Sequence, residues 1–344
     1  MKITIDRAIP FINGVFEPYA QVQYLEGSEI GPENIKDSDV LVTRTRTRCN
    51  AALLEGSAVK MIATATIGTD HIDLGWCKSH GIHIQNSAGC NAGGVMNYVL
   101  SAIYGVASRK RIDLRGCTAG IIGAGNVGSR VAAALGTLGM KVLLCDPPRA
   151  EAEGPRQFCD LDYLLRNSDI VMMHVPLNDG TRRMANAGFF SKMKLGAFFI
   201  NAARGEVMDE AALIDSRTKL GAIIIDTWNG EPDVNRDLLA VTDIATPHIA
   251  GYSYQGKMTG TSMAVRAVAR FMGIKELFEF FPKGDGALRD VVKLELQGKD
   301  QGQTASIIQY NYPIFTDDFM FRIEPEAFER LRENYSYRRE FYIY

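Results

Sequence analysis

Arg204, Glu231 and His248 follow one another down the chain, each just beyond a short apolar run, and their chemistries complement each other. Histidine exchanges a proton near neutral pH because its ordinary pKa lies there. A carboxylate bonded to the far ring nitrogen fixes the tautomer and stabilises the imidazolium. Arginine offers a planar fork that pairs with a carboxylate in two places and keeps its charge. Each residue alone has an ordinary explanation: arginines at strand ends often make surface ion pairs, and a lone histidine there is more often structural. The inference rests on the set, which supplies a proton acceptor, an orienting acid and a carboxylate grip. Oxidation at a carbon bearing a hydroxyl needs a base, a cation to hold the substrate and a group that accepts hydride.

A site for that group is written upstream. Thr118 to Ile122 is a short apolar run that predicts a buried strand, Gly123-Ala124-Gly125-Asn126-Val127-Gly128 follows at once, and Val127 to Leu138 has helical spacing. In that context Gly123 permits the tight turn and Gly125 lets backbone amides approach a pyrophosphate at the helix N-terminus. Gly128 lets helix and sheet pack closely. A second strand, Lys141 to Cys145, ends at Asp146, 18 positions after Gly128. A carboxylate holding the adenosine ribose hydroxyls is expected about 20 residues on. Asp146 would repel a 2′-phosphate, so the expected cofactor is NAD rather than NADP. Arg149 complicates this, since a nearby arginine can accept that phosphate.

The elements that must position these residues alternate as strand and helix. Strands are predicted at Ile3 to Ile5, Val40 to Arg44, Met61 to Thr66 and Ile82 to Asn86, then at Asp169 to His174, Gly196 to Asn201, Gly221 to Asp226 and Thr242 to Ala245. Arg204, Glu231 and His248 then lie past the carboxyl ends of the last three, the edge at which open α/β sheets bind ligands. Long helices at Asn91 to Ser108 and Tyr254 to Met272 bracket the nucleotide-binding part. The expected architecture is α/β, with two Rossmann-like doubly wound parallel sheets and a small α+β C-terminal domain. The substrate domain, discontinuous, takes residues 1–92 and 253–281, the NAD-binding domain 93–252, with cofactor and substrate meeting in a cleft. In the tail, 287–344, strands are predicted at Val291 to Leu296 and Ser306 to Tyr310, then a helix opening at Pro325. That tail is too small for a robust core of its own. Its end, Phe341-Tyr342-Ile343-Tyr344, reads either as an edge strand on the same subunit or as part of a dimerisation module.

Composition agrees. The 344 residues are 46% hydrophobic, enough for two or three domains with real cores, and the net charge of −2 gives no reason to expect a nucleic-acid or membrane-surface partner. No apolar signal stretch opens the chain and no run approaches a membrane span. Six cysteines without CxxC spacing suit reduced thiols in a cytoplasmic protein. His71, His80 and His83 cluster loosely without ligand spacing, so no metal site is expected.

The segments GIIGAGNVG, NAARGEVMDEAAL, DTWNGEP and TPHIAGY resemble the D-isomer-specific 2-hydroxyacid dehydrogenase family. That resemblance implies a catalytic set of Arg204, Glu231 and His248. It places Gly123, Gly125, Asn126, Val127, Gly128, Asp146, Val175, Ala202, Ala203, Arg204, Asp226 and Gly251 at NAD, and Thr45, Thr66 and Tyr252 at the substrate. Further segments, GTDHID, SAGCNA, LLCDPPRA, HIAGYSYQGK and FERLRENYSYRREF, resemble one branch of that family and extend the likeness over the whole chain. They imply oxidation of the 2-hydroxyl of a four-carbon acid phosphorylated at C4, on the way to pyridoxal phosphate, by a homodimer. Two departures stand out. Asn97 replaces a usual glutamate, and Val175 a polar residue near the nicotinamide.

A phosphorylated substrate calls for cations. Arg44-Thr45-Arg46-Thr47-Arg48 alternates with period two, so an extended backbone would put three guanidinium groups on one face; Arg44 is the first candidate for the phosphate, and the alternative is a solvated strand end. Arg338 and Arg339 are a second possible source of charge. Two other functions fit the residues: a dehydrogenase for another 2-hydroxy acid, such as a phosphoglycerate or glycerate, and an NAD-sensing protein without turnover.

Overall fold

The computed structural model describes residues 1–344. The chain divides into two compact units, Met1–Asn91 with Tyr254–Asp290, and Ala92–Ser253 with Val291–Tyr344.

The first unit is built on five parallel strands, β1 (Lys2–Asp6), β2 (Gln21–Leu25), β3 (Val40–Thr43), β4 (Met61–Thr64) and β5 (His83–Asn86), in the order β2-β1-β3-β4-β5. β3 and β4 are buried at every position, as parallel strands covered on both faces must be. The helix Tyr254–Met272 returns to this unit and lays Ala264, Val265, Val268 and Ala269 against Ile3, Ile5, Val40, Val42, Met61 and Ala63. β2 has no fully buried position, and its polar alternation QVQYL gives little warning of a strand.

The run after β3 is not extended. The strand stops at Thr43, and residues 44–48 turn so that the Cys49 amide can donate to His71 O at 2.8 Å. Thr47 is buried with its hydroxyl on Gly27 O, 2.8 Å, and Arg44 donates to Ala8 O at 3.0 Å. The period-two display of three guanidinium groups therefore does not exist.

The second unit carries a six-stranded parallel sheet: β6 (Thr118–Ile122), β7 (Lys141–Cys145), β8 (Ile170–Met173), β9 (Phe198–Asn201), β10 (Ala222–Ile225) and β11 (Ile244–Ala245), in the order β11-β10-β9-β8-β6-β7. Strand order reverses at β6, between β7 and β8, the kind of switch point at which open sheets bind nucleotides. The helix Ala92–Lys110 is buried at every residue from Ala92 to Ala107. A helix buried all round needs cover on every side, and the C-terminal segment provides part of it, beside the helix Asn126–Thr137 and the sheet.

That segment is where the structure departs most from the sequence expectation. β12 (Val292–Leu294) and β13 (Phe341–Ile343) pair in parallel, so the aromatic end finds its strand partner within its own chain. Ser306 to Tyr310 is no strand but part of the helix Gln301–Asn311, opened by an Asp300–Gln303 capping box and burying Thr304, Ala305 and Ile308 at helical spacing. A further helix, Ile314–Ile323, follows, and Pro325 opens a short 3₁₀ turn leading into the helix Phe328–Glu333. Nor does residue range 291–344 fold as a third unit. Leu294, Leu296, Ala305, Ile308, Tyr312, Ile314 and Phe341 complete the core around the long helix, while Phe321 and Phe328 pack with Trp228. Asn97, the departure noted above, holds the end of the chain in place: its side chain donates to Phe341 O at 2.8 Å and accepts from Phe341 N at 3.0 Å. An amide offers both a donor and an acceptor, as the strand backbone requires; an ionised carboxylate has no donor.

Candidate active site

The glycine turn joins β6 to the helix Asn126–Thr137. Gly123 has φ +88°, and a side chain there would lie 2.7 Å from His174 O. A Cβ on Gly128 would sit 2.0 Å from Gly123 O, whereas one on Gly125 would meet nothing within 4 Å. One glycine is thus demanded by backbone conformation, one by helix packing, and the third leaves open space at a helix N-terminus, where an anion is favoured. Asn126 and Val127 form the first turn of that helix. Gly128→Ala is expected to cost about 1–3 kcal/mol of overpacking and to raise the Kd for NAD at least about fivefold, read by fluorescence titration.

Asp146 follows β7 and holds the local backbone. Its Oδ2 accepts from Ala124 N at 2.8 Å and its Oδ1 from Arg149 N at 3.1 Å, so the acid ties the glycine turn to the next helix. Arg149, the complication for cofactor choice, is spoken for: Nε and Nη2 each reach Glu153 at 2.6 Å, and Nη1 reaches Ala124 O and Ser129 Oγ. With that guanidinium engaged and a carboxylate at the strand end, the site fits NAD. Val175 follows β8 by two residues, beside the close approach of Gly123 to His174.

β9, β10 and β11 are neighbours in the sheet and each delivers one member of the trio. After β9, Asn201 accepts from Ala203 N at 3.1 Å and donates to Arg204 O at 2.8 Å, fixing the turn Ala202-Ala203-Arg204. Gly205 then passes so close to Trp228 that a Cβ would lie 2.0 Å from its carbonyl carbon. Beyond β10, Glu231 accepts from Trp228 N at 2.9 Å through Oε1 and meets His248 Nδ1 at 2.8 Å through Oε2. Burial pushes the Glu231 carboxyl pKa up, but the His248 charge and hydrogen bond, the Trp228 amide and the Arg332 charge outweigh it and hold the group below its usual range. Beyond β11, His248 sits at φ +54°, and with Nδ1 on Glu231 its Nε2 is the nitrogen left to exchange a proton.

Asp226 is placed differently from the other residues the resemblance assigned to NAD. It is 1% exposed, and its oxygens accept from Thr246 Oγ1, Ile249 N and Ala250 N at 2.7, 2.8 and 2.9 Å. Its carboxylate thereby braces the loop that carries His248 and Gly251. Tyr252 follows in the same unit, edge-on to Tyr335 and Tyr337, with the Arg332 guanidinium 6.0 Å from its ring centre. Arg332 lies within the segment FERLRENYSYRREF, but nothing local singles it out from the neighbouring arginines. Arg44, Thr45 and Thr66 belong to the first unit, where Thr66 Oγ1 and Thr64 Oγ1 are 2.7 Å apart.

A doubly wound parallel sheet, a glycine turn closed by an acid, and an imidazole–carboxylate pair one strand from an arginine define an NAD-dependent dehydrogenase acting at a hydroxyl-bearing carbon. The model for "D-isomer specific 2-hydroxyacid dehydrogenase, NAD binding domain" matches residues 102–250, and the chain belongs to the D-isomer specific 2-hydroxyacid dehydrogenase family. It is 39% identical to the erythronate-4-phosphate dehydrogenase of Bacteroides fragilis, over 99% of this chain and 97% of that one. Among solved structures, it resembles the NAD⁺-bound 3-phosphoglycerate dehydrogenase of Entamoeba histolytica at 25% identity, TM-score 0.68, covering 83% of this chain and 99% of that one. The D-lactate dehydrogenase of Aquifex aeolicus with NAD and lactic acid matches at 26% identity, TM-score 0.64, over 83% and 100% of the two chains.

Proposed function

We propose that the protein oxidises 4-phospho-D-erythronate at C2 to 2-oxo-3-hydroxy-4-phosphobutanoate with NAD, a step toward pyridoxal 5′-phosphate. The observation that carries this is the 2.8 Å contact between His248 Nδ1 and Glu231 Oε2, at the strand end next to the one that presents Arg204. In a chain related over its full length to an enzyme of that name, this pair has a defined task. Neutral His248 takes the C2 hydroxyl proton at Nε2, and Glu231 stabilises the imidazolium through Nδ1. Arg204 holds the substrate carboxylate and the carbonyl oxygen that develops beside it. NAD, when bound, would supply the acceptor for the hydride that leaves C2. Gly123, Gly125, Asn126, Val127, Gly128, Asp146, Val175, Ala202, Ala203 and Gly251 are assigned to holding it, and Asp226 acts through the loop it braces. Tyr252, Thr45, Thr66 and Arg44 are assigned to the substrate.

We further propose a cytoplasmic homodimer. All six cysteines are free thiols, which a reducing compartment favours, and no helix is long and apolar enough to cross a membrane. On the helix Ile314–Ile323, Phe319, Met320 and Ile323 are 61%, 49% and 62% exposed. Such a face supports a protein contact. Sedimentation of the wild type and of Phe319→Asp tests it: a dimer that the substitution converts to monomer is expected, and a wild-type monomer refutes the assembly.

Turnover settles the substrate. NADH formation is compared for 4-phosphoerythronate, erythronate, 3-phosphoglycerate and glycerate, with Arg44→Ala alongside. Charge-assisted bonds to the phosphate, worth about 1.5–3 kcal/mol, should make kcat/KM for 4-phosphoerythronate at least about tenfold higher than for erythronate, with Arg44→Ala narrowing the gap. Equal values for the two acids would remove the phosphate from the reading.

A further inference from the structure

We infer that Arg338, in the C-terminal segment, is a positioning residue that holds the catalytic His248 loop in register. His248 adopts a positive φ of 54°, a conformation that L-residues with a side chain seldom keep unless the surroundings impose it. The two residues after it are held on both sides of the backbone. Their amides donate to Asp226. Their carbonyls accept from Arg338: Nη1 reaches Ile249 O at 3.0 Å, and Nη2 bonds to Ala250 O. The remaining Nη hydrogens go to Tyr335 Oη and Gly94 O, both at 3.1 Å, so all four Nη hydrogens are used within this unit, and Nε is buried. The guanidinium is not available for a substrate phosphate, which corrects the expectation drawn from the sequence.

Arg338 is itself fixed. Its guanidinium carbon lies 4.2 Å from the Tyr312 ring centre, and the Tyr312 and Tyr335 hydroxyls both donate to Asp317 Oδ2 at 2.8 Å. A parallel bridge joins Ser253 to Arg338, and the Ser253 hydroxyl donates to Glu340 at 2.6 Å. The loop leading out of the active site is thus stitched to the last strand. The matched family domain ends at residue 250, so the brace comes from beyond it.

The inference rests on His248 being the proton acceptor, and the experiment separates the two claims. The enzyme is examined with NAD but no substrate, by the low-field proton resonance of the His248 Nδ1–H···Glu231 bond, assigned through its loss in Glu231→Gln. Steady-state rates are measured in parallel for Arg338→Ala, Arg338→Lys and the surface control Arg330→Ala. Arg338→Ala is expected to lose or broaden the resonance and to lower kcat about 10- to 100-fold, as misplacing a reacting group does, with KM near the parent value. Lysine cannot fork to two carbonyls, so Arg338→Lys should fold normally yet share the defect. Guanidinium ion added to Arg338→Ala should restore part of both signals. A retained resonance with parental kcat in either variant overturns the inference, as does a loss that follows the folded fraction and ignores guanidinium. If 4-phosphoerythronate proves not to be the substrate, the resonance still reports on the brace.

Discussion

His248→Asn lowers kcat for oxidation of the hydroxy acid by about 10²- to 10⁴-fold, the usual contribution of a positioned acid–base group. Asparagine is the informative replacement for two reasons. It tolerates positive φ better than most residues, so the 54° backbone at this position need not move. Its amide can also donate to Glu231 Oε2, the partner of His248 Nδ1 at 2.8 Å, which avoids stranding a largely buried carboxylate. What it cannot do is accept a proton at the position of Nε2. NAD affinity, read by fluorescence titration, should stay near the parent value, since the glycine turn and Asp146 lie at the other side of the sheet order. A variant that oxidised substrate at the parental rate would remove His248 from the chemistry.

Arg204→Met should lower kcat/KM by about 10²- to 10³-fold, the scale on which removal of one preorganised donor to a developing oxyanion is felt. Both parameters should move. KM rises because the substrate carboxylate loses its fork, and kcat falls because the developing carbonyl loses a donor that matters most in the transition state. Backbone strain does not confound the test. Arg204 is extended at φ −145°, and Asn201 and Gly205 shape its turn; the guanidinium adds a bond from Nη1 to Ala203 O at 2.7 Å, which methionine also gives up. A change confined to KM would mean that Arg204 binds the acid without assisting its oxidation.

Much of the site was legible because its signals are local. The nucleotide turn needs φ +88° at Gly123 and a missing side chain at Gly128, and only glycine satisfies both. β8 to β10 are four-residue runs buried at every position, so their ends, and the polar residues just past them, stand out in a string of letters. The misreadings share the opposite character. Ile307 and Ile308 favour a strand by their branching, yet burial of Thr304, Ala305 and Ile308 against the long helix makes the segment helical. Arginines alternating with threonines after β3 read as extended, until backbone pairing of Cys49 with His71 and Asp73 bends the chain. Arg338 read as loose charge, and Asn97 as an unexplained departure, because their partners are far away in sequence: Asn97 and Phe341 are 244 positions apart.

The amino-acid order by itself determined the parallel sheets, the dinucleotide turn and the strand ends that carry Arg204, Glu231 and His248. Hydrophobic runs and glycine conformations act over a few residues, and no distant contact is needed to read them. Only the tertiary structure decided that Glu231 meets His248 across 17 positions, that Asp226 and Arg338 grip the same loop from opposite sides of its backbone, and that the C-terminal segment completes the core of the nucleotide unit. Those contacts depend on how separate elements pack, and a hydrogen bond between remote residues leaves no periodicity in the chain.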